Sequence, residues 1–254
     1  MIKNKNILNY RIVGNGYPVI FLHGFLESNA MWEDIVENLP KIQAICIELP
    51  GHGQSPLLQD SLSLTSISEA VKETLESMMI KQFSIVGHSL GGYVALHLAE
   101  DPDLTINTIV LLHSHPWADS EKKKIDRDRV VKIVDYNKML FLKEAIPSLY
   151  YNEVQNETQI NHLIEDAYQM SEKAITQTLI AMRNREDKTN VLKKWGQKVQ
   201  IIQGEFDQLI DARAMEETSK ISGNNFHLIK GIGHMGHHEA KEEIIKLLGS
   251  FYLA

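Results

Sequence analysis

The chain has 254 residues, 43% of them hydrophobic, which is enough to bury the core of a full α/β domain. Its net charge of −7 provides no basic field for nucleic acid, and we interpret the cationic run Lys122–Lys124 as a solvated helix face. No segment approaches a membrane span and the amino terminus lacks a signal-peptide pattern, so a cytoplasmic protein is expected. The single cysteine, Cys46, lies in an apolar run, which favours a buried structural thiol.

Short apolar segments alternate with amphipathic segments along most of the chain. Strands are predicted at Ile7–Val13, Val19–Leu22, Ala44–Leu49, Phe83–Val86, Ile106–Leu112, Val199–Gln203 and Phe226–Ile229. Helices are predicted at Ala30–Leu39, Ser66–Met79, Leu90–Glu100, Ala212–Ile221 and Glu239–Leu248. Because several strands are apolar almost throughout, helices should cover both sheet faces. We therefore predict a three-layer α/β fold with a mostly parallel sheet.

The alternation stops after Leu112 and resumes at Val199, and the sequence between them favours helices alone. These helices are predicted at Asp119–Val134, Lys138–Ala145, Thr158–Met170 and Glu172–Arg183, with Pro147 as a break. The chain shows no internal repeat and no flexible linker. We predict one domain, residues 1–254, with a helical cap inserted at about residues 117–190.

A short motif, Gly87–Gly91, stands between a predicted strand and a predicted helix. Its serine, Ser89, therefore falls on the tight turn that joins the two elements. A strand that reverses into a helix within a few residues forces the serine into strained dihedrals, and the flanking glycines let neighbouring backbone approach closely. This context predicts that Ser89 is a nucleophile.

A serine hydroxyl needs a base to take its proton and an acid to orient that base. Asp207 follows the predicted strand Val199–Gln203, and His234 follows Phe226–Ile229. Both residues should therefore lie at the carboxyl edge of the sheet, where the catalytic groups of parallel sheets gather. The order Ser, Asp, His is also the one expected for this architecture. Ser89, Asp207 and His234 are the predicted catalytic residues.

Other residues compete for the acid and base roles. Asp211 is expected to cap the next helix, which leaves Asp207 free, and Glu205 is the reserve acid. His237 and His238 fall where the last helix begins, and we interpret them as surface residues. These histidines lack carboxylate or cysteine partners at convincing spacing, so no metal site is predicted.

Acyl transfer places negative charge on the substrate's carbonyl oxygen, and backbone N–H groups are suited to receive it. Phe25 follows the predicted strand Val19–Leu22 and the segment His23–Gly24, so its N–H can face the nucleophile. Leu90, directly after the serine, supplies the second N–H. Phe25 and Leu90 are the predicted oxyanion hole.

Taken together, the motifs resemble the α/β-hydrolase superfamily over nearly the whole chain. The matching segments are His23–Phe25, Glu48–Ser55, Gly87–Gly92, Gly204–Asp207 and Gly233–His234 with Glu239 after it. One departure is Glu48, where the family more often has aspartate at a structural position. The resemblance implies a carboxylesterase-like member with a helical lid, in which Ser89 is the nucleophile, His234 the general base and acid, and Asp207 its orienting carboxylate.

The expected function is hydrolysis of small to medium carboxylic esters through an acyl-enzyme, without a cofactor. The alternatives are a lyase or carbon–carbon hydrolase with the same triad, similar to the lyase of menaquinone synthesis or to ring-cleavage-product hydrolases, and a ligand receptor that retains the triad. The expected partner is a small-molecule ester, with no nucleic acid, no membrane and no oligomeric state assigned. Substrate choice should come from Phe25, His113, His115, Trp117 and Ile146–Tyr151.

Overall fold

The computed structural model of the protein describes residues 7–58 and 61–252. Seven strands form one sheet: β1 (Tyr10–Val13), β2 (Tyr17–Leu22), β3 (Ile42–Ile47), β4 (Gln82–His88), β5 (Thr105–Leu112), β6 (Val199–Gly204) and β7 (Asn225–Ile229). Their order across the sheet is β1-β3-β2-β4-β5-β6-β7. Strand β1 runs antiparallel to β3, and every other pair is parallel. The predicted mostly parallel sheet is confirmed.

The helices are α1 (Glu33–Val36), α2 (Leu64–Ser77), α3 (Leu90–Leu98), α4 (Glu121–Ala145), α5 (Glu157–Tyr168), α6 (Glu172–Arg183), α7 (Thr189–Trp195), α8 (Ala212–Ser222), α9 (Gly236–Glu239) and α10 (Lys241–Tyr252). Helices α2, α3 and α8 share a core with one face of the sheet, and α1 and α10 share a core with the other. Along β2, Ile20 and Leu22 point to the first core while Val19 and Phe21 point to the second. This alternation produces the three predicted layers.

Helices α4 to α7 lie between β5 and β6, where the sequence predicts an inserted cap. Helix α4 joins two predicted helices into one of 25 residues, with a kink at Asn137, whose φ is −159°. The Asn137 side chain accepts a hydrogen bond from the Leu140 N–H at 3.0 Å, so it caps the second half of α4. Helix α7 lies where no helix was predicted. The domain limits of about 117–190 stay a prediction.

Two other helices differ from the sequence prediction. The segment Ala30–Leu39 divides into a 3₁₀ turn, Asn29–Trp32, followed by the short helix α1. The last predicted helix divides into α9 and α10 because Ala240 leaves the helical region, with φ −143° and ψ 43°. Strand β1 begins at Tyr10, three residues later than predicted.

Cys46 lies inside β3 and is buried, as predicted. Burial raises the pKa of its thiol to about 12, so the group stays protonated near neutral pH. Within the described ranges, no helix is both long and apolar enough to cross a membrane.

Candidate active site

Ser89 lies at the carboxyl edge of the sheet, between the end of β4 and the start of α3. Its φ of 48° and ψ of −110° are strained values for a residue with a side chain. A Cβ added at Gly87 would lie 2.4 Å from the Gly91 backbone, and one at Gly91 would lie 2.3 Å from the Leu22 carbonyl oxygen. The two glycines are therefore required by close approach, and together they hold the serine outward on a sharp turn.

Asp207 is fixed in the loop after β6. Its Oδ1 accepts the backbone N–H groups of Leu209 and Ile210 at 2.9 and 3.1 Å, and its Oδ2 accepts the Gln203 amide at 2.8 Å. The same Oδ2 lies 2.8 Å from His234 Nδ1. These donors leave the carboxylate one orientation, with Oδ2 facing the histidine.

His234 lies between Asp207 and the cavity that Ser89 borders. Burial alone would raise the pKa of the Asp207 carboxyl, but the rings of His234 and His113 and their hydrogen bonds hold it well below its usual range. An ionised carboxylate only accepts, so His234 Nδ1 donates to it and Nε2 is left as an acceptor. That Nε2 is buried and has no hydrogen-bond partner among the described residues. His234 and Ser89 line the same cavity.

The two predicted oxyanion donors are the backbone N–H groups of Leu90 and Phe25. Leu90 is the first residue of α3, so its N–H has no acceptor within the helix. Phe25 follows Gly24 in the loop after β2 and borders the cavity. Over the described ranges, neither N–H donates to a protein acceptor. Both groups are free to bind an oxyanion.

The cavity has a volume of about 290 Å³ and lies between the sheet edge and the helices of the insertion. Its apolar wall comes mainly from α4 and α6, through Val130, Phe141, Leu179 and Met182. A wall of this kind suits the hydrocarbon part of a small substrate.

The predicted substrate contacts divide into two groups. Phe25 and His115 line the cavity, as does Leu149 within the segment Ile146–Tyr151. Trp117 instead stacks on the His115 ring at 4.8 Å. Tyr150 and Tyr151 face away from the cavity, since the Tyr150 hydroxyl bonds His238 and the Tyr151 ring stacks on Phe206. His113 lies behind the site, 3.4 Å from Asp207 Oδ2.

Two cations of α4 also border the cavity. Arg127 is held at Nε by the buried carboxylate of Asp119, whose other oxygen lies 2.8 Å from Arg185. Lys123 is exposed near the mouth, and its Nζ donates to the Leu209 carbonyl at 3.1 Å. One carboxylate therefore serves two guanidinium groups, and the acceptor of the ammonium is a neutral carbonyl. Arg127 was not singled out from the sequence, because a charged residue on an amphipathic helix is usually solvated.

The interpretation of His237 and His238 as surface residues is wrong. His237 is 2% exposed, and His238 is half-buried with its Nδ1 2.7 Å from the Tyr150 hydroxyl. The reason is that α9 starts directly after the loop that carries His234 and packs beneath that loop. Gly236 makes this possible, since a Cβ there would lie 2.3 Å from His113 Nε2.

The competing acidic residues are occupied elsewhere. Glu205 accepts the Gly231 N–H at 3.1 Å, and Asp211 caps α8 through the Ala214 N–H at 2.8 Å. The Asp211 cap was predicted and is confirmed, and it leaves Asp207 to His234.

Two groups of three side chains have ligand-type atoms within 4.8 Å of one another: Glu27 with His88 and His237, and His113 with Asp207 and His234. In each group a histidine Nδ1 already donates to the carboxylate, so one nitrogen of His88 and one of His234 are occupied by a hydrogen bond. The absence of a metal site stays a prediction.

A sequence model of the alpha/beta hydrolase fold matches residues 17–241 of the chain. Among curated relatives, the 2-succinyl-6-hydroxy-2,4-cyclohexadiene-1-carboxylate synthase of Enterobacter sp. (strain 638) is 27% identical over 237 residues, covering 88% of this chain and 87% of that protein.

Two solved esterases share the fold. The thermophilic esterase from Thermogutta terrifontis superposes with a TM-score of 0.87 at 21% identity, covering 96% of this chain and 92% of its own. The esterase of Exiguobacterium antarcticum gives a TM-score of 0.86 at 21% identity, covering 97% and 96%. At this identity the likeness establishes the fold alone. With the family match over most of its length, the chain belongs to the α/β-hydrolase family of enzymes.

Proposed function

We propose that the protein is a serine hydrolase that cleaves carboxylic esters of small to medium acyl groups through an acyl-enzyme. One observation carries this proposal. Ser89, on its strained turn, borders the same cavity as His234, whose free Nε2 is set as an acceptor by the Asp207 carboxylate. A serine that shares a cavity with an imidazole oriented by a carboxylate is the arrangement that nucleophilic acyl transfer needs.

In the proposed reaction, Ser89 Oγ attacks the ester carbonyl while His234 Nε2 takes its proton. Asp207 stabilises the imidazolium that forms, and the N–H groups of Phe25 and Leu90 bind the developing oxyanion. Each such donor contributes a factor of about 10²–10³ in rate. His234 then protonates the leaving alcohol, and water activated by the same nitrogen releases the acid and restores Ser89.

The cavity supports the size of the proposed acyl group. Its volume of about 290 Å³ lies at the lower end of ordinary ligand pockets. A cavity of this size favours a small substrate over a long lipid chain with its leaving group. We therefore expect the highest turnover with short acyl chains.

The test compares the wild-type protein, Ser89→Ala and Ser148→Ala on nitrophenyl esters of increasing acyl length. Ser148 is the control because it is a second serine beside the cavity, and its hydroxyl donates to the Ala145 carbonyl at 2.7 Å. Ser89→Ala should lose at least about 10⁴-fold in kcat while Ser148→Ala keeps most of it. Equal activity in Ser89→Ala and wild type would contradict the proposal.

A second candidate is a lyase or carbon–carbon hydrolase that uses the same triad mainly for proton transfer. Arg127 and Lys123 favour it, because two cations beside the cavity suit an anionic substrate, and the name of the 27% identical synthase describes a succinyl carboxylate. Folded protein that is inert toward activated esters but converts a dienoate or a β-dicarbonyl compound would support this candidate.

A further inference from the structure

A buried pair of charged side chains lies directly beside the catalytic residues, and the proposed chemistry does not use it. Glu27 is 4% exposed and His88 is 1% exposed. Glu27 Oε2 lies 2.7 Å from His88 Nδ1 and also accepts the Gly24 N–H at 2.6 Å. On its other side, His88 Nε2 lies 3.1 Å from the backbone carbonyl oxygen of His234.

The acceptors around His88 define its protonation state. A carbonyl oxygen has no proton to give, and an ionised carboxylate has none either. Both ring nitrogens of His88 must therefore donate, which makes the ring an imidazolium paired with the Glu27 carboxylate. Burial opposes this charge, but Glu27 outweighs it and raises the pKa of His88 above its ordinary value. In the same way, His88 lowers the pKa of Glu27 although burial would raise it.

Other titratable groups surround the pair. The His237 Nε2 lies 3.4 Å from Glu27 Oε1, and burial holds the pKa of His237 well below its usual range, so that ring is neutral. The remaining groups are His23, His113, His234, His238, the Tyr150 hydroxyl and the Asp207 carboxylate. Glu27 is thus the negative partner that His88 contacts directly.

The bonds of this pair reach the loops that carry Phe25 and His234, and His88 itself directly precedes Ser89. Gly24 precedes the oxyanion donor Phe25, His88 precedes Ser89, and the accepting carbonyl belongs to His234 itself. Gly24 also packs tightly against the pair, since a Cβ there would lie 2.4 Å from Glu27 Oε2 and 2.6 Å from His88 Nδ1.

We propose that Glu27 and His88 are positioning residues, an ion pair that holds the oxyanion loop and the backbone of His234 in register with Ser89. Neither group takes part in bond making, so the role rests on the proposed function of the triad. Misplacement of catalytic groups by about 1 Å can cost about 10²-fold in rate. The pair is therefore a determinant of kcat that lies outside the triad.

Glu27→Gln is a sharp test because it removes the charge and preserves the shape. Without the carboxylate, His88 loses the group that keeps it protonated and becomes neutral. A neutral imidazole has one N–H, so it cannot donate both to residue 27 and to the His234 carbonyl. If the new NH₂ group at position 27 donates to Nδ1 instead, it replaces the oxygen that accepts the Gly24 N–H, so one of the three bonds is lost in either case. We expect kcat to fall about 10- to 100-fold while KM changes little.

Three readouts follow from this design. The ¹⁵N signals of the His88 ring should report two protonated nitrogens in the wild type at pH 7.5, and one in Glu27→Gln. Ester turnover and the rate of Ser89 labelling by a fluorophosphonate should both fall in the variant. Adding His88→Gln to Glu27→Gln should cost little more than either change alone, because the two residues act as a unit.

The matched control is Glu48→Gln. Glu48 is another buried glutamate, and its carboxylate accepts the Gln54 N–H at 2.6 Å and the Asn9 amide at 2.8 Å, so neither bond goes to the loops that carry Phe25, Ser89 or His234. It should lower the melting temperature as Glu27→Gln does but leave kcat within about twofold of wild type.

The proposal is overturned if the wild-type His88 ring carries one proton, or if Glu27→Gln keeps the wild-type kcat and labelling rate. It is also overturned if both glutamate variants lose activity equally. The NMR state of His88 can be read on Ser89→Ala as well. A failure of the serine hydrolase proposal would appear as unchanged turnover in Ser89→Ala, independently of the His88 result.

Discussion

The two sides of the cavity are held by different kinds of interaction. On the sheet side, Asp207 accepts four hydrogen bonds of 2.8 to 3.1 Å. Three come from Gln203, Leu209 and Ile210, in its own loop or at the end of β6, and the fourth comes from His234 in the loop after β7. Such a network has one geometry, because each lost bond would leave a buried polar group without a partner.

On the helical side, the wall consists mostly of apolar side chains from α4 and α6. Its polar groups are few, with Arg127 held by Asp119 and Lys123 by one backbone carbonyl. Apolar contacts are not directional, so this wall can change shape with a smaller loss of stability than the sheet side. The comparison indicates that the chemistry is fixed by the sheet loops and that selectivity is adjustable in the helices.

The largest expected effect is on the sheet side. Asp207→Asn should lower kcat by about 10³–10⁴-fold, because the amide no longer fixes His234 in the tautomer that leaves Nε2 as the acceptor. Esterase kinetics measure this loss. Glu205→Gln changes another carboxylate of the same loop, which accepts the Gly231 N–H, and it should stay within about threefold of wild type. A similar loss in both variants would break the distinction.

The same carboxylate should affect stability in acid. Its folded-state pKa is lowered, so it adds stability that is present above its unfolded pKa of about 3.9 and is lost as pH falls toward the folded value. Wild type should therefore lose at least about 1 kcal/mol more than Asp207→Asn between pH 6 and pH 3. Urea unfolding at the two pH values measures the difference, and parallel acid sensitivities would exclude this contribution.

A smaller effect is expected on the helical side. Leu179→Ala removes a wall residue of α6 and should raise the kcat/KM ratio of octanoate to acetate esters by about tenfold, because each accommodated methylene contributes about 0.8 kcal/mol. Ile175→Ala, one turn away, is equally buried but does not border the cavity. It should destabilise the protein to a similar extent without shifting the chain-length preference. A shift in both variants would show that the wall does not set selectivity.

The smallest effect concerns charge. Lys123→Met should lower kcat/KM for a mono-nitrophenyl succinate about two- to fivefold and leave nitrophenyl butyrate unchanged, since an exposed ion pair contributes about 0.2–1 kcal/mol. Lys122→Met, at an exposed position of the same helix, is the control. A selective effect of Lys123→Met would locate a preference for anionic substrates on the helical side of the cavity. Equal responses of the two lysine variants would argue against this preference.

The sheet and its edge are readable from the sequence because they depend on local patterns. An apolar run predicts a strand, and a glycine-flanked serine, aspartate or histidine that follows it is predicted to lie at the carboxyl edge of the sheet. Ser89, Asp207 and His234 were found in this way, and the structure places each of them at that edge. The roles assigned to them stay predictions until the variants are measured.

Long-range burial is less readable. Glu27 and His88 are 61 residues apart, and nothing near either one in the chain reveals the other. The sequence predicts His237 at the surface because residues at a helix start are typically exposed. In the structure α9 places it beneath the loop that carries His234, where it is buried. The kink at Asn137 corresponds to the gap between the predicted helices Asp119–Val134 and Lys138–Ala145, but the side-chain cap that joins the two halves was not predicted.

The insertion contacts the loop that carries Gly233 and His234 through its main-chain atoms. The Leu149 carbonyl accepts the His234 N–H at 2.8 Å, and Glu239 joins the Tyr151 and Gly233 N–H groups at 2.8 and 2.9 Å. An outward movement of the insertion would therefore break a hydrogen bond to the main chain of His234, so the position of this residue depends on the position of the insertion.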